Sequence, residues 1–300
     1  MASLFNTLFG SVQMTCICVL ATLGITLIFK TSFTTNFAQG SIAALGCYVT
    51  AEFVINSGMN LYLALAIGLA AGLACGLIVD TVIFRRGRNV NMLGKQIITM
   101  GLVSLIVNAI PLIFGNSMIV SFPSFVNGYF TFMMSGTEVY IQKNAVLCLA
   151  ITAVIIALIF VLLKYSKWGL GVRATASNEY VAGMMGINTH AITAISWSVA
   201  GVLGVLAAVM LAGMNSISPL FMTKIQVNAF LAGILGGFAT FYGPVIGAVL
   251  IPVATSLVGW LGGYVPAMSQ WNEVIIYVLI LIAVLIRPQG LFGKKIAKKV

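Results

Sequence analysis

Lys164–Ala191 reads KYSKWGLGVRATASNEYVAGMMGINTHA. It is the longest polar interruption between apolar runs on the side of the chain where Lys and Arg collect. Ala145–Leu163 precedes it and Ala191–Ala212 follows, both almost wholly apolar. A helix that crosses a bilayer needs about 20 mostly apolar residues, so both flanks read as spans. The segment 164–190 between them is then held at the membrane face. Trp168, Gly169 and Gly171 read as a bend, with Arg173 after it. Thr175 or Ser177 is placed to cap a short helix through Asn178–Met185, and Gly186 to end it. Glu179 sits at the positive end of that helix, where a carboxylate is favoured. Ala182 lies inside it, and Met184, Met185 and Ile187 stand exposed. Exposed apolar residues on an ordered helix suit a groove on a partner. An ordinary amphipathic loop fits the same local pattern.

Composition extends this reading to the whole chain. The 300 residues are 61% hydrophobic and 7% charged, with a mean hydropathy of +1.12. Soluble domains carry roughly 25% charged residues. The fold class is therefore an all-α polytopic membrane protein. Nine candidate spans follow: Phe9–Phe29, Phe37–Ile55, Leu61–Phe84, Ile97–Phe114, Ala145–Leu163, Ala191–Ala212, Ile225–Phe241, Pro244–Leu261 and Trp271–Ile286. About eight to nine of them cross, in a single domain over 1–300. Two are interrupted. Phe37–Ile55 carries Gln39, Gly40, Ser41 and Gly46, and Ile225–Phe241 carries Asn228, Gly233, Gly236 and Gly237. Interrupted spans are tolerated where they face protein or a water-lined cavity, and a pair in corresponding places often marks a translocation route. Asn36, Gln39, Ser41, Asn228, Gly236 and Gly237 are the candidate pathway residues. Helix-to-helix bracing explains the same polar groups without any route.

The charges set the orientation. Lys30, Arg85, Arg86, Arg88, Lys95, Lys164, Lys167, Arg173, Arg287, Lys294, Lys295, Lys298 and Lys299 fall on one side; Lys143 and Lys224 fall on the other. That is 13 of the 15 basic residues on one side. The basic side is cytoplasmic by the positive-inside rule. Nine spans then leave the N-terminus outside and the C-terminus inside. The net charge of +10 is thus a matter of topology and implies no nucleic-acid partner. Gly115–Gln142 lies outside, and its aromatic residues around Pro123 and Gly128 read as a structured hairpin or an interfacial helix. Small residues four apart (Gly68, Gly72, Gly76; Ala200, Gly204, Ala208) read as close helix contacts.

Several chemistries lack their residues. Cys16, Cys18, Cys47, Cys75 and Cys148 lie in apolar runs with no C-x-x-C pair, so no disulfide framework is expected. With His190 as the sole histidine, no metal cluster and no metal cofactor are expected. Gly94-Lys95 is followed by Gln96 and Gly293-Lys294 by Lys295, so neither forms a P-loop, which requires Ser or Thr there. Asp80 is the one acidic residue well inside a span, a turn from Arg85 and Arg86, and reads as paired with them. One such group is thin support for an ion-coupled carrier. The N-terminal run, without a basic start or small-residue cleavage site, reads as retained.

Five stretches together resemble the permeases of branched-chain amino acid importers. They are Gly171–Asn188 (G-V-R-A-T-A…M-G-I-N), Asn36–Gly40 (N-F-A-Q-G, with Gln39 where that family has His), and Ile98–Leu102 with Phe114-Gly115. The others are Leu235–Gly237 through Tyr242–Pro244 and Gly247-Ala248, and Arg287–Gly293 (R-P-Q-G-L-F-G). They run from about Phe9 to Gly293, nearly the whole chain, and point to the first of the two permease types in such systems. The resemblance implies a non-enzymatic subunit, with no cofactor of its own, in a bacterial or archaeal plasma membrane among membrane lipid. It implies a second homologous permease, two cytoplasmic ATPase subunits and an extracytoplasmic substrate-binding protein. It implies that 164–190 couples to an ATPase through Arg173, Glu179, Ala182, Met184, Met185 and Gly186. The family also takes up urea, amides and other amino acids, and related importers carry sugars or nucleosides. A stand-alone ion-coupled carrier is the competing class.

Overall fold

The computed structural model describes residues 2–87, 90–115, 118–134 and 137–293. Of the basic residues used for topology, Arg88, Lys294, Lys295, Lys298 and Lys299 lie outside them.

Each candidate span is met by a helix. In chain order these are α1 (Ala2–Ser32), α2 (Gln39–Ile55), α3 (Leu61–Ile78), α4 (Met92–Phe114), α5 (Lys143–Tyr165), α8 (Thr189–Ala212), α9 (Thr223–Gly236), α10 (Tyr242–Leu261) and α12 (Asn272–Ile286). Between them lie α6 (Lys167–Ser177), α7 (Glu179–Met184) and the short α11 (Pro266–Gln270). A π-helical turn, Val79–Phe84, extends α3. With it, six helices among the described residues are long and apolar enough to cross a membrane. The other three are shorter: α2 has 17 residues, α12 has 15 and α9 only 14. The span expected over Ile225–Phe241 thus ends early. Gly237 takes φ +86°, a conformation glycine enters without strain, and closes the helix after Gly236.

The core is built on α1 and α8. Both are buried along most of their length, and α2, α3, α9 and α10 pack around them. Close approach rests on small residues, as the spacing predicts. A Cβ on Gly201 would stand 2.2 Å from the Gly72 carbonyl oxygen, and one on Gly76 2.3 Å from that of Trp197. The α3–α8 contact is therefore backbone against backbone.

The loop 115–142 takes the hairpin, one of its two expected forms: β1 (Tyr129–Met134) pairs antiparallel with β2 (Thr137–Gln142). One expectation is settled differently. Asp80 forms no ion pair with Arg85 or Arg86 among the described residues; its carboxylate accepts from Thr193 Oγ1 at 3.4 Å. The reason is the π-helical turn. It buries Asp80 against α8, while Arg85 and Arg86 emerge exposed at its end.

Candidate functional site

Two places carry the candidate residues: a cavity where the interrupted spans meet, and the face presented by α6 and α7.

The cavity begins with the chain between α1 and α2. Asn36 is fully buried. Its Oδ1 accepts from the Ala38 amide at 2.9 Å and its Nδ2 donates to Gln39 Oε1 at 3.1 Å, which turns the backbone into α2. Gln39 Nε2 donates to the Ala200 carbonyl at 2.7 Å, pinning the first turn of α2 to the middle of α8. Thr99 on α4 accepts from the Phe37 amide at 3.3 Å. From the other side comes α9. Gln226 Oε1 accepts from the Gly40 amide at 2.7 Å, and its Nε2 donates to the Phe37 carbonyl. One glutamine side chain thus ties the two interrupted segments together.

At this joint lies a cavity of about 330 Å³. Its polar edge is Gly40 and Ser41 on α2 with Thr223 and Gln226 on α9. Its apolar walls include Phe37, Met100 and Val103 on α4, Leu220, and Phe230. The Phe37 and Phe230 rings lie 5.3 Å apart. Thr223, Gln226, Val227 and Phe230 follow helical spacing, so α9 offers one stripe to the cavity.

Of the six pathway candidates, only Ser41 lines the cavity. Asn36 and Gln39 are buried behind it. Asn228 lies off that stripe, where its Oδ1 accepts from the Tyr277 hydroxyl at 3.1 Å and joins α9 to α12. Gly236 and Gly237 serve close packing. A Cβ on Gly236 would be 2.0 Å from the Gly243 carbonyl oxygen, and one on Gly237 2.6 Å from that of Gln289. Gln226 was missed by the sequence reading. Its position at i−4 from Phe230, on the only stripe of α9 that mixes Thr and Gln with apolar residues, was the available signal.

The segment 164–190 holds two helices rather than a bend and one helix. Ser166 caps α6, its Oγ accepting from the Gly169 amide at 2.9 Å. Gly169 and Gly171 do not bend the chain; they let α6 fold back onto its neighbours. A Cβ on Gly169 would meet the Leu162 carbonyl oxygen at 2.3 Å, and one on Gly171 the Ile192 side chain at 2.5 Å. The chain breaks at Asn178, which is extended (φ −163°, ψ 110°). Asn178, not Thr175 or Ser177, caps α7 by accepting from the Val181 amide at 3.1 Å. Gly186 ends it at φ +81°. Asn188 then caps α8, accepting from the Ala191 amide at 3.1 Å.

Tyr180, Met184 and Met185 are 76%, 64% and 78% exposed. Gly186 is exposed beside them, and Ala182 is the buried anchor. Arg173 donates to the Lys164 carbonyl at 3.4 Å and so caps the end of α5. Glu179 faces inward, half-buried, onto a crevice shared with Asp80, Arg85, Lys95, His190 and Thr193. Among the described residues no group of His, Cys, Asp and Glu is arranged to hold a metal.

The chain is 28% identical to a probable branched-chain amino acid transport permease protein, LivH, of Methanocaldococcus jannaschii, over 95% of this chain and 91% of that one. It is 25% identical to the high-affinity branched-chain amino acid transport system permease protein LivH of Escherichia coli, over 98% and 96%. Among solved structures, PsaBC of Streptococcus pneumoniae in complex with a Fab shares the fold, at a TM-score of 0.50 and 14% identity, over 94% of this chain and 92% of that one. The family model for the permease component of branched-chain amino acid transport systems matches residues 7–285. The chain belongs to that permease family.

Proposed function

We propose that the chain is the membrane-spanning subunit of an ATP-binding-cassette importer for branched-chain or other hydrophobic amino acids. Its partners are a second homologous permease, two cytoplasmic ATPases and an extracytoplasmic binding protein, in a bacterial or archaeal plasma membrane. The N-terminus is outside and the C-terminus cytoplasmic, which puts 164–190 against the ATPases. The observation that carries the reading is the cavity at the α2–α9 joint. It pairs an amide and hydroxyl edge with aliphatic and aromatic walls, the complement of an amphipathic zwitterion.

The same lining argues against an ion-coupled carrier. No titratable side chain borders the cavity, whereas proton or cation coupling relies on intramembrane ionisable groups. Energy then comes from outside the chain. Closure of the ATPase pair moves α7 through Met184 and Met185, and Ala182 passes the movement into the bundle. Glu179, in the crevice with residues of α3, α4 and α8, is placed to spread that movement to the helices that hold the cavity. The spans then open to one side at a time.

The test is uptake into proteoliposomes. The assembled complex with its binding protein takes up leucine with ATP and not with a non-hydrolysable analogue. Equal uptake by this chain alone, without ATPases, overturns the proposal.

A further inference from the structure

Two helices begin at the cavity, α2 of 17 residues and α9 of 14. Each helix start carries the partial positive charge of its unpaired amides. Neither is neutralised by its own cap: Ala38 before α2 and Met222 before α9 have no side chain able to accept. On α2 the Gly40 amide is taken by Gln226, while the amides of Gln39 and Ser41 meet no acceptor among the described residues. Ser41 is a second and independent sign of a ligand. It is 6% exposed, borders the cavity, and its hydroxyl has no hydrogen-bond partner among the described residues. A serine inside a helix ordinarily returns its hydroxyl to a carbonyl one turn back, as Ser196 does to Ile192 at 2.7 Å. Ser41, on the cavity lining, makes no such bond.

We propose that this joint binds the substrate's carboxylate. Ser41 Oγ donates to one carboxylate oxygen, the first-turn amides of α2 supply the surrounding positive potential, and α9 adds its own from the opposite side. Gln226 holds the two helix starts together and is a positioning residue. The aliphatic side chain then lies against Met100, Val103 and Phe230. The inference rests on the importer reading and adds to it the group recognised and the atoms that recognise it. Discrimination at this step falls on the carboxylate, so an amine or an alcohol with the same side chain is refused here.

The experiment compares Ser41→Asp with Ser41→Asn in the assembled importer, using radiolabelled leucine. The two side chains have nearly the same size and differ in charge. Leucine uptake by Ser41→Asp is expected to fall at least about tenfold below Ser41→Asn, because a carboxylate placed there repels another at close range. Uptake is expressed per complex recovered by co-purification. Equal uptake by the two variants, with wild-type uptake intact, overturns the carboxylate site and leaves the importer reading standing. No ATP-driven leucine uptake by the wild-type complex overturns both. Ser41→Cys gives a readout that does not need the aspartate variant to assemble. After correction for their rates with free thiol, an anionic methanethiosulfonate should label it several-fold faster than a cationic one, and leucine should slow the labelling. Faster labelling by the cationic reagent contradicts the proposal.

Discussion

Gln39 and Gln226 are both amides at the α2–α9 joint, and they do different things. Gln39 is sealed between α1, α2 and α8, with Gly24 and Gly204 leaving room for its side chain. Its bonds to Asn36 and the Ala200 carbonyl brace helices. Gln226 borders the cavity and sets the spacing of its two helix starts. Gln39→Leu leaves the buried Asn36 side-chain amide without its acceptor, which costs about 1–3 kcal/mol. It should lower the melting temperature of the complex and reduce uptake only in proportion to the complex lost. Gln226→Leu should reduce uptake per assembled complex by more than it reduces stability. Thermal unfolding and uptake measured on the same preparations separate them, and the opposite ranking contradicts this division. Asn36, Gln39 and Asn228 drew attention in the sequence because polar groups inside a span need partners. Which of them face a cavity and which face a neighbouring helix depends on helix phase against elements far along the chain. Residue type alone does not carry that.

At the scale of elements, the segment 164–190 was legible in its outline. Its exposed methionines and its glycine stop at Gly186 are where the sequence places them. Its first half was not, because Gly169 and Gly171 read as chain-bending residues. In the fold they are contact points where a side chain would strike α5 or α8. The hairpin was half legible: aromatic residues around Pro123 and Gly128 require order, and the choice of strand over helix came from pairing Tyr129–Met134 with Thr137–Gln142. The proposed coupling role makes its own demand on α7. Glu179→Arg reverses charge in the crevice, and Gly186→Trp puts a bulky residue at φ +81°, a position disfavoured for any residue with a Cβ. Both should lower substrate-stimulated ATPase activity while the subunits still co-purify. Normal stimulation and uptake in both variants contradict a coupling role for α7.

For the whole molecule, hydropathy and the basic residues predict a bundle with one charged face, and the fold adds how the bundle is held together. α1 and α8 form a buried axis, and the shorter α2 and α9 meet beside it. Orientation is checked by thiol labelling of intact cells. A cysteine at Ser177, exposed at the end of α6, is expected to react only from the cytoplasm, and one at Tyr129, exposed on the hairpin, only from outside; the reverse would invert the topology. On the proposed function, the transported amino acid passes through the cavity at the α2–α9 joint. A leucine analogue carrying a side-chain diazirine, supplied to the assembled importer under turnover, is irradiated and the adducts are located by mass spectrometry. Adducts are expected on Phe37, Met100 and Phe230, reduced by excess leucine. Competable adducts confined to α10 and α12, for instance at Leu250 and Leu279, would contradict that route.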